Sequence, residues 1–180
     1  IVAREQTAGR GQRGHLWLSP RDAGIYLTVV DFPEAKATPA THYFTLAAGI
    51  ASVQALRHFA AVDAGLRPIN DLYVGQAKLG GILTEAVIEG DSIRALLTGI
   101  GINVRTAPRP LPPGAPEPIS LQELIPPAQF SYFDESQLVT EIVGQVLFWN
   151  AAVAHGDVVY VHREWERYRL PDAAGVDLLT

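Results

Sequence analysis

Glu5-Gln6-Thr7-Ala8-Gly9-Arg10-Gly11-Gln12-Arg13-Gly14-His15-Leu16-Trp17-Leu18 follows directly on a short apolar run, Ile1-Val2-Ala3, that reads as a strand. Gly9, Gly11 and Gly14 fall close together. Glycine takes positive φ at no steric cost and lets a backbone approach a ligand where a Cβ would stand in the way. Arg10 and Arg13 add fork-shaped donors suited to phosphate or carboxylate. Glycines combined with fixed positive charge can form an anion cradle. The same residues also build ordinary solvated turns, so the remainder of the chain has to decide.

Working outward, 180 residues suffice for one domain with its own core, and 48% apolar against 18% charged residues is a globular composition. A net charge of −5 argues against nucleic acid or an anionic membrane as partner. There is no cysteine, which excludes disulfides and thiolate chemistry within the chain. No apolar run reaches the roughly 18 residues that span a bilayer, and the expected location is cytoplasmic. The chain opens on Ile1 and holds no Met, which reads as the N-terminal part of the domain being missing.

Ile25 to Val30 is rich in β-branched and aromatic residues and reads as a buried strand. Leu46, Ile50, Val53, Leu56 and Ala60 recur at helical spacing, predicting a helix from Phe44 to Ala61 with Gln54, Arg57 and His58 toward solvent. Residues 66–104 read as an antiparallel meander, with turns at Gly75-Gln76 and Gly90-Asp91. Six of the thirteen prolines lie between Pro108 and Pro118, which makes that stretch an irregular loop. A capped turn at Ser120–Leu124, a helix from the N-cap Asp134 to about Ala154 and another from about Val158 to Tyr168 complete the reading. Trp149 and Trp165 read as core, Asp157 and Glu164 as surface charge, and the five histidines show no metal-ligand spacing. The fold class is α+β: a mixed, mainly antiparallel sheet with helices packed on it. One domain is expected over 1–170, with 171–180 starting or linking to a C-terminal segment.

Four motifs in order resemble the catalytic domain of biotin protein ligases, in the biotin/lipoate protein ligase family. Gln6 to Gly14 with Trp17-Leu18-Ser19-Pro20 is similar to the family's Gln-x-x-Gly-Arg-Gly-Arg-x-Gly…Trp-x-Ser-Pro. Arg67-Pro68-Ile69-Asn70-Asp71-Leu72 is similar to Lys-Trp-Pro-Asn-Asp-Leu, Lys78 to Glu85 to Lys-x-x-Gly-Ile-Leu-x-Glu, and Gly99 to Asn103 to Gly-x-Gly-Ile-Asn. The resemblance implies a fold shared with class II aminoacyl-tRNA synthetases. It also implies activation of biotin by ATP and Mg²⁺ to biotinyl-5′-adenylate, then transfer to a lysine of a biotin carboxyl carrier protein.

By the same resemblance Lys78, Arg10 and Arg67 are the catalytic cations, converging on one hollow to hold two mutually repelling acid groups together. Gly9 and Gly11 would offer backbone donors to the adenylate phosphate, and Gln6 would reach the biotin ureido ring. Trp17, Gly80 and Gly81 would wall the biotin tail, while Asn70 and Asn103 would offer amides to the ligands. Gln12, Arg13, Ile82, Gly99 and Gly101 complete the binding set, and Asp71 would hold Mg²⁺ or orient a basic neighbour. A homodimer is compatible with the family; with no winged helix ahead of the ligase motifs, a repressor role is not expected. The departures are Gln12, where the family usually has a second arginine that helps retain the adenylate, and Pro68-Ile69 for Trp-Pro. A lipoate or octanoate ligase-like transferase, or a ligand-binding relative without transfer activity, are the rival readings.

Overall fold

The computed structural model describes residues 1–108 and 114–171. The middle of the proline-rich stretch, 109–113, and most of the expected 171–180 segment lie outside the described residues. The strands are β1 (Val2–Ala3), β2 (Gly24–Asp31), β3 (Gly65–Arg67), β4 (Asp71–Val74), β5 (Ala77–Glu89) and β6 (Ser92–Asn103). They form one sheet in the order β1-β2-β6-β5-β4-β3, and every neighbouring pair of strands is antiparallel. Parallel pairing is confined to the isolated bridges Leu66–Arg169 and Lys78–Pro118. The meander over 66–104 is present, and its tight turns carry positive φ at Gly75 and Gly90.

The helices are α1 (Tyr43–Ala60), α2 (Leu121–Leu124), α3 (Pro127–Phe130), α4 (Glu135–Ala154) and α5 (Val158–Tyr168). Alternation along the strands sends Ile25, Leu27, Val29, Leu66, Leu72, Ile82, Ile100 and Ile102 to one face, where they join α1, α4 and α5 in a single core. The two predicted long helices after residue 130 form as read, with Asp134 accepting from the N–H groups of Ser136 and Gln137. The Ser120/Glu123 capping box starts α2. The one-turn helix α3 was not expected; Pro127 supplies its first position.

Two side chains, Gln54 and Glu164, differ from the sequence reading, while Arg57 stays exposed as read. Gln54 is not a solvent residue: it accepts from Trp149 Nε1 at 2.9 Å and donates to the Tyr168 hydroxyl at 3.3 Å, tying α1 to α4 and α5. Arg57 curls back and donates twice to the Ala64 carbonyl, closing the turn into β3. Glu164 is buried rather than surface charge, and both its carboxylate oxygens accept from Arg167 at 3.0 Å. Trp149 and Trp165 are in the core as expected. No helix among the described residues is long and apolar enough to cross a membrane. Trp149→Phe retains the aromatic bulk but leaves the Gln54 carbonyl oxygen unpaired. Urea unfolding is expected to show a loss of about 1–3 kcal/mol.

Candidate functional site

The helices cover one face of the sheet, so the other must be covered by something else. Register fixes what lies there. Ala3, Tyr26, Gly101, Gly81, Asp71 and Arg67 are successive cross-strand partners and therefore share one face, opposite the core. Gly101 and Gly81 leave the middle of this row bare of side chains.

The glycine-rich stretch folds back over that bare patch as an irregular hairpin. Gln6 N–H donates to the Ser19 carbonyl, Trp17 N–H to Gly9 and Gly11 N–H to His15, and a turn at Gln12–Gly14 reverses the chain. Arg13 and Gly14 take positive φ in that turn. Gly9 is required by contact: a Cβ there would stand 2.3 Å from the Trp17 carbonyl oxygen. Two clasps hold the hairpin's ends. Ser19 Oγ donates to Gln6 Oε1 at 2.6 Å, and the Tyr26 hydroxyl donates to the Pro20 carbonyl at 2.8 Å. Burial, helped by the charge of Asp22, pushes the Tyr26 phenol up to about 12, so it stays a donor at neutral pH.

Trp17 is the residue that seats the hairpin. Its indole lies directly on Gly101, where a Cβ would be 2.5 Å from three ring atoms, and it reaches Gly81. The indole Nε1 is buried and has no partner among the described residues.

Lys78 arrives beside this platform through a bulge. Between the pairs Leu72–Gly80 and Tyr73–Lys78 the register shifts, so Leu79 is an extra residue in β5. Leu79 is fully buried on the core side, and Lys78 turns to the opposite face. Its ammonium pairs with Asp71 Oδ1 at 2.8 Å and lies 5.7 Å from the centre of the Trp17 ring. Both partners are about three-quarters buried.

The other two expected cations are placed differently. Arg67 shares the row, but its guanidinium stacks 4.3 Å over the Tyr73 ring and donates to Gln76. Arg10 is exposed and pairs with Glu85 at 3.4 Å. The expected convergence of Arg10, Arg67 and Lys78 on one hollow is therefore corrected: Lys78 alone of the three adjoins the platform, because the other two are taken up by neighbours. A hollow of about 560 Å³ lies to one side, between Gln6, Ser19 and the segment from Arg105 to Pro108.

Several residues of the expected binding set make bonds or packing contacts within the protein. Ile82 is core, and its backbone N–H and C=O bond to Asn70. Asn70 Nδ2 is the donor in the second of those bonds, at 2.7 Å. Gly80 faces Leu72 in the core. The Gly11 N–H is held by His15, and the Asn103 amide donates to the carbonyls of Ile119 and Lys78. A Cβ on Gly99 would make only ordinary contacts with Leu83, and Gln12 and Arg13 sit in the hairpin turn. Asp71 fits the role of orienting a basic neighbour. Among the described residues no trio of His, Cys, Asp or Glu forms a cage of protein ligands, and a Mg²⁺ ion carried in by nucleotide phosphates takes only one or two carboxylates. The sequence reading assigned no role to Ser19, Gln76 or Glu85, although Ser19 and Glu85 stand inside quoted motifs. Tyr26 carried no signal beyond its place in a strand.

Comparison with known proteins bears on this geometry. The sequence model of the biotin/lipoate A/B protein ligase family matches residues 1–103. The chain belongs to this family. Among curated relatives, the bifunctional ligase/repressor BirA of Bacillus subtilis is 35% identical over 112 residues, 62% of this chain and 34% of that protein. The biotin–[acetyl-CoA-carboxylase] ligase of Mycobacterium tuberculosis is 32% identical over 159 residues, 84% of this chain and 55% of that protein. The chain thus spans about a third to a half of the length of these relatives. The fold is that of the biotin protein ligase from Aquifex aeolicus solved with biotin and ATP, with a TM-score of 0.74 over 94% of this chain and 68% of that one, at 24% identity.

Gly101→Ala puts a methyl group into the indole and forces Trp17 off the platform. Thermal and urea unfolding are expected to show a loss of about 1–3 kcal/mol, with a changed near-ultraviolet circular dichroism spectrum.

Proposed function

We propose that this family member is an ATP-dependent biotin protein ligase, and that the platform of Gly81, Gly99 and Gly101 beside Trp17 and Lys78 is where biotin is activated. The observation that carries the proposal is the placement of one largely buried ammonium beside a surface made of glycine backbone and the Trp17 indole. An apolar, flat ligand with a terminal carboxylate matches that surface. The ring system packs against glycine backbone and indole, and the carboxylate meets Lys78. The relatives named as biotin ligases, and the Aquifex aeolicus ligase bound to biotin and ATP, support the same ligand pair.

In the first step a biotin carboxylate oxygen attacks the α-phosphorus of ATP and pyrophosphate leaves. Charge accumulates on the phosphoryl oxygens between two anions, and a fixed cation there lowers the barrier. Lys78, oriented by Asp71, is placed for this. Arg10 would add a second cation on leaving Glu85, an exposed pair of the kind that contributes little. Arg67 acts at one remove, packed on Tyr73 at the β3–β4 corner. Gln6, clasped by Ser19, borders the hollow to one side of the platform. In the second step the amine of a carrier-protein lysine attacks the acyl carbon of the mixed anhydride. It loses a proton as AMP departs.

The test is exchange of labelled pyrophosphate into ATP by the protein, with biotin or lipoate as the acid. Biotin-dependent exchange is expected, falling about 10²- to 10³-fold in Lys78→Ala. Exchange with lipoate alone, exchange with neither acid, or a Lys78→Ala variant of undiminished rate would overturn the proposal.

A further inference from the structure

The hairpin that carries Trp17 is closed at its base by a rung that joins three segments. Asp22 N–H donates to the Arg4 carbonyl at 2.8 Å. Arg4 returns a forked pair, Nε to Asp22 Oδ1 and Nη2 to Asp22 Oδ2, both at 2.7 Å. Asp22 takes a φ of +55°, in the left-handed region that aspartate tolerates better than most residues. The next carbonyl, that of Ala23, accepts from the N–H groups of Val104 at 3.1 Å and Arg105 at 2.9 Å. The rung thus ties the end of β1, the entry to β2 and the exit of β6 together. Asp22 is the acid at the centre of this junction. Besides Arg4 it has Arg21 Nε at 3.8 Å, on a guanidinium that also meets Glu5 at 3.4 Å, and the charge of Arg105 from the β6 side. The Arg4 bond above all holds the Asp22 carboxyl below the usual carboxylate range.

The place of this rung matters for the indole beyond it. β1 is two residues long and lies at the edge of the sheet, so it lends little rigidity to the arm that leaves it. Further out, the two arms are joined by backbone bonds at Gln6–Ser19, Gly9–Trp17 and Gly11–His15 and by the Gln6–Ser19 clasp. Tyr26 clasps the returning arm at Pro20, and the Arg4–Asp22 pair ties the outgoing arm to it at the base. The rung therefore sets the angle at which the arms leave the sheet, and Trp17 lies further out along the arm that ends in Asp22. Its ring rests on backbone at Gly101, a contact that a small tilt of the hairpin opens. An exposed ion pair contributes little as a rule; a bidentate arginine–carboxylate pair of good geometry is the exception. With side chains 71% and 45% exposed, this pair stays open to screening by salt.

We propose that Asp22, with Arg4 as its partner, is a positioning residue for the biotin surface: it holds the hairpin at the angle that seats Trp17 on Gly101 and touches neither biotin nor nucleotide. The inference rests on the reading of the glycine and indole surface as the place where biotin is activated. Weakening the rung lowers the fraction of molecules with a seated indole, and the apparent affinity for biotin falls with that fraction. Lys78 and Asp71 stand on β5 and β4 and hold each other at 2.8 Å, so the chemical step on bound biotin is left intact.

Asp22→Asn keeps the size and suits the left-handed backbone but removes the charge, and Arg4→Gln breaks the same pair from the other side. The readouts are kcat and the KM for biotin and ATP in pyrophosphate exchange, with hydrogen exchange at the Trp17 and Gly11 amides, which bond across the hairpin. Expected for either variant are a KM for biotin raised about 3- to 10-fold, kcat and the KM for ATP within about twofold of wild type, and faster hydrogen exchange at both amides. The double variant is expected to match the single ones, since each removes the same pair. At about 1 M salt, where the screening length falls to about 3 Å, the wild-type KM for biotin is expected to approach that of the variants. An unchanged KM for biotin overturns the inference, and faster amide exchange alongside it makes the pair merely structural. A lowered kcat at unchanged KM, which would put the pair in the chemistry, overturns it as well. So does a raised KM with wild-type hydrogen exchange at Trp17, which would make Asp22 or Arg4 a ligand contact. Should Asp22→Asn fail to fold, Arg4→Gln decides. A wild-type protein without biotin-dependent pyrophosphate exchange overturns the reading of function and this role with it, whereas an active wild type whose variants keep their KM for biotin overturns this role alone.

Discussion

One contact organises the outer face of this protein: the indole of Trp17 resting on Gly101. A side chain at that position would stand inside the ring, so the indole reaches the sheet only because β6 carries hydrogen there. The contact seats a hairpin whose other anchors include the Gln6–Ser19 and Tyr26–Pro20 clasps, the Arg4–Asp22 pair at its base and the exposed Arg10–Glu85 pair. It also leaves a flat surface of backbone and aromatic ring beside Lys78. An apolar layer of α1, α4 and α5 supplies stability on one face. That frees the opposite face to be sparse, which a binding surface for a flat ligand requires.

Charge is distributed around that surface in two grades. Lys78 and Asp71 are largely withdrawn from solvent and hold each other at 2.8 Å, so the ammonium is fixed in place. Arg10 and Glu85 meet in the open at 3.4 Å, where water screens them and little free energy opposes separation. An arginine so held is available to an incoming anion; a lysine held as Lys78 is already in position. Arg67 belongs to neither grade. A planar guanidinium can stack on Tyr73 where an ammonium would not gain as much, which gives physical content to the replacement of the family's lysine at this position.

The sequence made the strands and long helices legible because each is a run of consistent periodicity. The hairpin turns were marked by Gly75 and Gly90, and four motifs in order marked the family. What it left hidden depends on through-space partners. The bulge at Leu79 cannot be seen in Lys78-Leu79-Gly80, since an unbroken strand would give the same pattern. Arg10 lies 75 residues from Glu85, and no local pattern announces that pairing. Asn70 and Asn103 read as ligand amides through the family resemblance of their motifs, and no local pattern announces that their nitrogens bond to backbone carbonyls. Glu164 read as surface charge because acids on a late, polar helix are usually solvated, whereas here its side chain is buried and its carboxylate reaches the exposed Arg167.

Nuclear magnetic resonance titration of the protein with biotin tests the platform most directly. The backbone amide signals of Gly81, Gly99 and Gly101 and the indole N–H of Trp17 are expected to shift together as biotin is added. Those four signals staying fixed, while resonances at the separate hollow between His58, Phe59 and Thr140 move instead, would contradict it.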